Sequence, residues 1–548
     1  MTTALKILTI LFIASCSAQA ALPSFIQQGF TFPADSQALV IADTNGDGLQ
    51  DLVLEADGAL RIYFQNENGF DFESGFADLE FDGEAIGWDL SRGYHDGGIS
   101  IIALIDGTEA RAWNVVDQAV SEPRIIKSGL PGFISKGVNR LHFSRDIDND
   151  GLEDLVIPGA GVINILISEG QGEFQPPLTV RSDMRLRTRL NINRFNRSAG
   201  QSVRIPVLEL RDVNGDDYND LVSRTDERLD VFIANPGGTP YLPRTPTYFI
   251  DIAAIEEELG EFDIDNLDFS NLTGVLALTH EEILEDVDAD GIDDLLLREG
   301  GKVSLFKGSR TGMDLTQPQQ VLRSGGNVLS TFLYDENEDG LKDLWLWRVE
   351  PVSVSDIFVW LALSGSIAIE AFIYPNDGER FSRRPTRKIS VDLRFPSVIR
   401  LAGAYSDMSN ELESLENADP VPVTIASLND NLDSDELLTL VNSQLRIFLD
   451  SIQPQAGEDN FLSDLGYSRE RNNYEINIRE ILDNLKITGA PELEQINGQE
   501  PDLVIELDSA VTTPDLIATS LNADSVDDIF VFTQYDASHI RGILLLSN

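Results

Sequence analysis

Short apolar runs recur along this chain. Each is followed by a turn and then by a second run in which apolar and polar side chains alternate. Leu52-Val53-Leu54 precedes Leu60 to Phe64, and Leu155-Val156-Ile157 precedes Ile163 to Ile167. The second runs recur at Leu229 to Ile233 and Val303 to Phe306. Gly- or Asn-rich turns come next, often with an aromatic, as at Asn66 to Gly69 with Phe70 and at Gly170 to Gly172 with Phe174. Alternation over a few residues between turn signals predicts strands, so the class is all-β. A period of about 50 residues with several strands per repeat predicts a β-propeller.

Five of the units open with the same polar pattern. Its copies start at Asp43, Asp146, Asp212, Asp286 and Asp335, each with an acid at positions 1, 5 and 9 and an apolar residue after it. Position 3 is Asp or Asn, and position 6 is Gly except at Asp217. A hard cation needs several oxygen ligands on a short loop, and Gly permits the sharp turn between them. The expected calcium ligands are the side chains at positions 1, 3, 5 and 9, with the backbone carbonyl at position 7. In order they are Asp43, Asn45, Asp47, Leu49 and Asp51; Asp146, Asp148, Asp150, Leu152 and Asp154; and Asp212, Asn214, Asp216, Tyr218 and Asp220. The last two sets are Asp286, Asp288, Asp290, Ile292 and Asp294, and Asp335, Asn337, Asp339, Leu341 and Asp343. An EF-hand would place Glu at position 12 between helices. Here position 12 is Leu54, Ile157, Ser223, Leu297 or Leu346, in predicted strands. Asn at position 3 lowers the charge of three sites, and Asp217 marks the loop at Asp212 as the weakest of the five.

Weaker copies fill the gaps: Asp89 to Gly98 before Ile99, Ser427 to Glu436 before Leu437, and Ser520 to Asp528 before Ile529. They bring the expected count to eight blades, with seven as the alternative. The last unit ends at Asn548 without an outer strand, and an orphan strand, Phe25 to Pro33, precedes the first loop. Their pairing would close a ring. Insertions depart from the repeat. Residues 181–204 and 380–400 are basic islands, suited to an acidic glycan or to salt bridges, the second being favoured. Helix is expected from Ile252 to Leu259 and from Tyr474 to Leu485.

Charge narrows the partners. The chain of 548 residues carries 40 Lys+Arg against 92 Asp+Glu, a formal net charge of -52. Nucleic acid is an unsuitable partner, because phosphate backbones need a basic face. Lys6, the apolar stretch Ile7 to Ala14 and Ala18-Gln19-Ala20 read as a secretion signal over residues 1–20. Residues 21–548 are then one propeller domain, secreted or periplasmic and expected to be monomeric. The single Cys, Cys16, lies in a lipoprotein-like box, so a lipid anchor is the alternative. No other stretch suits a transmembrane helix.

Catalytic signals are sparse. His95, His142, His280 and His539 show no metal-ligand spacing. No nucleophile elbow or phosphate loop is present, and carboxylates are too abundant for any pair to stand out. Trp345 and Trp347 share a strand face, an arrangement that suits a core better than a sugar platform.

The loop form Asp-x-Asp/Asn-x-Asp-Gly-x-x-Asp-Leu resembles the FG-GAP/VCBS repeats of integrin-α-like β-propellers. It matches at Asp43, Asp146, Asp286 and Asp335 and departs once, at Asp217, in the loop at Asp212. The resemblance implies a bladed ring with calcium in loops between strands and a glycan or protein ligand on the opposite face. The expected function is a secreted calcium-binding adhesion or recognition module, favoured over an enzyme. The alternatives are an enzyme acting on extracellular polysaccharide and a structural component of the cell envelope.

Overall fold

The computed structural model describes residues 22–547 apart from 35, 37, 57, 93, 95–98, 133–141, 160, 171, 192–195, 205–206, 261–267, 326, 398–420, 430, 432–433, 442, 453–469, 478–490, 508–514 and 523–525. The signal segment, Cys16 and His95 lie outside the described residues, as do the weakest parts of the copies near Asp89 and Ser427.

The fold is all-β. Among the described residues it contains eight sheets of four or five strands and four two-stranded hairpins. The first seven sheets each begin as an antiparallel meander taken in chain order. The first comprises Ala38–Ala42, Asp51–Ala56, Ala59–Tyr63 and Phe76–Leu79. The third comprises Ser144–Arg145, Asp154–Gly159, Val162–Leu166 and Leu178–Arg181. The eighth is completed from the other end of the chain. Phe25–Pro33 pairs antiparallel with His539–Ser547, from Phe25 opposite Ser547 to Pro33 opposite His539. The pairing expected of the orphan strand is therefore present.

Second strands are apolar almost throughout because both of their faces are covered. Side chains alternate between faces along a strand, and neighbouring sheets take alternate residues. Ile101, Ala103 and Ile105 of the second sheet pack with Val53 of the first. Ile102 and Leu104 turn the other way, onto Leu155 and Ile157 of the third. Leu295 and Leu297 of the fifth sheet meet Val222 of the fourth, while Leu296 meets Leu344 and Leu346 of the sixth. Ile529 and Val531 of the eighth sheet join the seventh. Phe530 joins Leu52 and Leu54 of the first. The third and fourth sheets share a core through Ile163, Ile165, Leu221 and Phe232. Trp345 of the sixth sheet and Leu437 of the seventh head separate clusters. Trp345 is fully buried and stacks on Phe332 and Trp347, as a core reading of that pair requires.

The insertions are clearer than the repeat pattern made them. Residues 183–191 and 196–204 form a long hairpin. One expected helix is present, Ile252–Leu259, capped by Asp251, which accepts the Ala254 N–H at 3.0 Å. A second helix, Val354–Ala362, was not foreseen, although Ser353 and Asp356 form a capping box at its start. The helix expected from Tyr474 is instead a strand, Asn473–Asn477, added in parallel to Arg387–Phe395 at the edge of the sixth sheet. Asn-Tyr-Glu-Ile-Asn alternates with period two, and Tyr474 enters the Trp345 cluster, so edge pairing decides the conformation. The continuation of that expected helix, 478–490, lies outside the described residues.

The second basic island is largely engaged locally. Arg387 pairs with Glu336, Lys388 with Glu370 at 2.5 Å, and Arg394 with Glu475 at 2.9 Å. These ion pairs match the salt-bridge reading. Side chains within the hairpin of the first island lie outside the described set. No helix among the described residues is long and apolar enough to cross a membrane.

Candidate metal loops and the opposite rim

Each of the five acidic loops joins the first strand of its sheet to the second. They belong to the first, third, fourth, fifth and sixth sheets. All five share one hydrogen-bonding plan. The position-1 carboxylate accepts the N–H of positions 5 and 6. Asp146 does so from Asp150 at 3.1 Å and from Gly151 at 2.9 Å, and Asp335 from Asp339 at 3.2 Å and Gly340 at 2.8 Å. The position-5 carboxylate accepts the N–H of position 7, at 2.8 Å from Leu49 to Asp47 and 2.8 Å from Leu152 to Asp150. These bonds curl the backbone around a focus lined by oxygens.

Position 6 has positive φ in every loop: Gly48, Gly151, Gly291, Gly340 and also Asp217, at 67°. The loop at Asp212 therefore keeps the common backbone without Gly. Position 4 has positive φ as well, in Gly46, Asn149, Gly215, Ala289 and Glu338. That requirement was not legible, because Ala and Glu seldom adopt it. At Ala289 and Glu338 the turn is held against intrinsic preference, which requires strong local determinants.

Position 9 differs from the others. Asp51, Asp154, Asp220, Asp294 and Asp343 are essentially inaccessible. Each accepts a backbone N–H from just beyond the third strand, and Asp51, Asp154, Asp220 and Asp343 also accept the N–H of position 2 within the loop. Asp154 accepts Ile147 at 2.8 Å and Ser168 at 2.7 Å; Asp220 accepts Val213 at 3.0 Å and Ala234 at 2.7 Å. Position 9 thus fastens the loop to the end of the third strand. Asp528 in the eighth sheet and Glu436 in the seventh accept the equivalent loop N–H from Leu521 and Leu428. The buried anchor persists where the loop acids are lost.

The oxygens converge as a cation requires. Carboxylate oxygens of Asp146, Asp148 and Asp154 lie within 4.8 Å of one another, and so do those of Asp286, Asp288 and Asp294. These two acidic clusters can hold a metal ion. The other loops have Asn at position 3, so fewer carboxylates meet there. In the loop at Asp212, Asn214 is buried, and its amide N–H donates to Asp216 and to the Arg310 carbonyl. Its Oδ1 accepts no hydrogen bond, which suits a ligand oxygen. In the loop at Asp286, Lys307 enters among the carboxylates. Burial pulls its amine down, but hydrogen bonds to Asp288 and Asp294 outweigh this and hold it above its ordinary value.

Electrostatics add a pH signature. Burial pushes the position-9 carboxyls up, Asp51 and Asp220 to about 6 and Asp154 to about 7. Burial and the Asp150 charge also raise Asp148. An unfolded Asp titrates near 3.9. These three carboxyls therefore bind more protons in the metal-free fold than in the unfolded chain between about pH 4 and pH 7, and what they contribute to stability is lost as pH rises through that window. A cation needs the ionised form, so its affinity moves the other way. At pH 5 calcium should bind roughly 10- to 100-fold more weakly than at pH 8. Calorimetric titration at the two pH values checks this; equal affinities would refute it.

Antiparallel order places the connections after the second and fourth strands at the end of each sheet away from the loops. The two helices and the turn Leu272–Leu278 lie in such connections. They are tied together. Leu272 N–H donates to the Val352 carbonyl at 2.7 Å, and Val354 N–H to the Phe269 carbonyl at 2.9 Å. Phe269, Phe358, Val359 and Leu363 are exposed there. Aromatic and aliphatic side chains clustered in the open mark interaction surfaces. His280 stands at the same end of its strand, with Nδ1 2.5 Å from Glu282 and Nε2 3.3 Å from Glu256.

No family model matches this chain, and no curated protein does. Among solved structures it is similar to an Agrocybe aegerita lectin that recognises non-reducing terminal N-acetylglucosamine. The match has a TM-score of 0.27 and 15% identity, and covers 66% of this chain and 81% of that one. A structure of BBS1N in complex with ARL6DN has a TM-score of 0.22 and 10% identity, covering 96% and 98%. A Photorhabdus luminescens Tc holotoxin pore has a TM-score of 0.20 and 13% identity, covering 82% and 21%. Agreement at this level carries no functional weight, so the reading rests on the loops themselves.

Proposed function

We propose that the eight sheets are the blades of a closed β-propeller of the FG-GAP/VCBS kind, and that the protein is an extracellular calcium-dependent recognition module. Support for the ring comes from the order of packing. Successive sheets share cores from the first to the sixth, the seventh joins the eighth, and the eighth joins the first. The strand Phe25–Pro33 then closes the ring within the last blade. Calcium locks the loops at Asp43, Asp146, Asp212 and Asp335; the loop at Asp286 has the same backbone build, with Lys307 among its carboxylates. The ions are structural. They fix one rim, and the inserted helices with Phe269, Phe358 and Leu363 on the other rim meet the ligand.

The observation that carries this reading is the common plan of the five loops, a cation-shaped turn built from different residues at positions 2, 4, 7 and 8. The test uses purified mature protein, calcium or a chelator, and a panel of bacterial and algal polysaccharides. Calcium-dependent loss of protein from the supernatant without new sugar ends is the expected result. New reducing ends would replace recognition with polysaccharide cleavage. If neither is seen on any polysaccharide, the glycan arm falls and protein partners are left as the ligand class.

A further inference from the structure

The loop at Asp286 differs from its four counterparts through a residue outside the loop. In each unit the position-9 carboxylate accepts an N–H from just beyond the third strand. The donors are Gln65, Ser168, Ala234, Gly308 and Asn376. The residue before the donor is Phe64, Ile167, Ile233 or Pro375 in four units, and Lys307 in the fifth. Lys307 Nζ lies 3.0 Å from Asp294 Oδ2 and 3.7 Å from Asp290 Oδ2, and pairs more closely with Asp288 Oδ2. Those carboxylates occupy positions 9, 5 and 3. The ammonium therefore reaches three of the four side chains expected to bind a metal.

We propose that Lys307 is the resident cation of the Asp286 loop, a tethered replacement for calcium. The inference rests on the calcium reading of the other loops and refines it. An ammonium has three N–H donors and no acceptor, which suits a focus made only of oxygens. A calcium ion entering there would compete for the same oxygens and repel the amine. The seventh unit reaches a metal-independent lock by another route. Its Asp450 accepts from Asn431 at 2.6 Å and Ser434 at 2.8 Å, and Glu436 anchors Leu428. The chain thus contains units locked by its own side chains beside units that need a metal.

Calcium equivalents bound by the chelator-stripped full-length protein are counted by equilibrium dialysis, together with melting temperatures, for wild type, Lys307→Met and Asp288→Ala, which removes the position-3 oxygen altogether. The expected result is that Asp288→Ala leaves the number of bound calcium ions unchanged, while Lys307→Met gains one. Without calcium, Lys307→Met melts several degrees lower, and calcium restores it. If Asp288→Ala loses one equivalent, the loop is an ordinary calcium site and the proposal is overturned. If Lys307→Met does not fold, Asp288→Ala still decides. If no form binds calcium, the calcium reading itself fails. The lysine lock then stands or falls on whether both variants lower the melting temperature without adding when combined.

Discussion

Removing residues 22–33 is expected to unfold the protein or to lower its melting temperature by more than 10 °C. That segment supplies the outer strand of the eighth sheet, nine residues long and paired along its whole length. It also carries Phe30 and Phe32, both buried and 4.5 Å apart between ring centroids. Phe32 packs on Tyr63 of the first sheet at 5.4 Å, and Phe30 on Phe530 at 5.8 Å. A buried Phe→Ala change costs about 3–5 kcal/mol. Two of them in contact do not add simply, yet together they rival the roughly 5–15 kcal/mol of a typical domain. Deletion would also leave His539–Ser547 as a bare edge. Gly542 gives a point test of the same packing, because a Cβ there would stand 2.3 Å from the Phe30 ring and 2.5 Å from the Val531 carbonyl oxygen. In chemical denaturation Phe30→Ala and Gly542→Ala should both destabilise, each less than the deletion. An unchanged unfolding curve for the deletion would refute the closure.

Calcium removal is expected to have the second large effect. Each acidic loop sets its carboxyl groups on one short turn, and the formal charge of the whole chain is -52. A ligand that binds only the native state at 100 times its Kd stabilises by about 2.7 kcal/mol per site. Four loops on separate sheets should act nearly independently, since distant sites add. The sum is roughly 10 kcal/mol, enough to move the melting temperature by about 10 °C or more. Magnesium should do little, because it needs a tighter octahedral shell than these loops offer.

The repeat was legible because its physics is local. Alternating faces, turn residues and the acidic loop each need only a few consecutive positions, and the five loops, the second strands and the terminal strand all occur where those signals stand. What escaped depends on contacts distant in sequence. Lys307 looks like an ordinary charge after a strand until the fold brings it against Asp288. Its signal was a cation where the other units place Phe64, Ile167, Ile233 and Pro375. Positive φ at Ala289 and Glu338 left no compositional trace. Tyr474 misled because an edge strand and an amphipathic helix share apolar spacing over so short a stretch, and only the Trp345 cluster settles it. The helix Val354–Ala362 did announce itself, through Ser353 and Asp356, but its apolar run also suits a buried strand.

Differential scanning calorimetry shows whether calcium locks the loops at Asp43, Asp146, Asp212 and Asp335. Chelator-stripped protein at pH 7.5 is scanned alone, with millimolar calcium and with the same concentration of magnesium. A rise in melting temperature of about 10 °C or more with calcium, and little with magnesium, is the result predicted. A melting temperature indifferent to calcium would mean that the loops are acidic turns held by their own hydrogen bonds and not calcium sites.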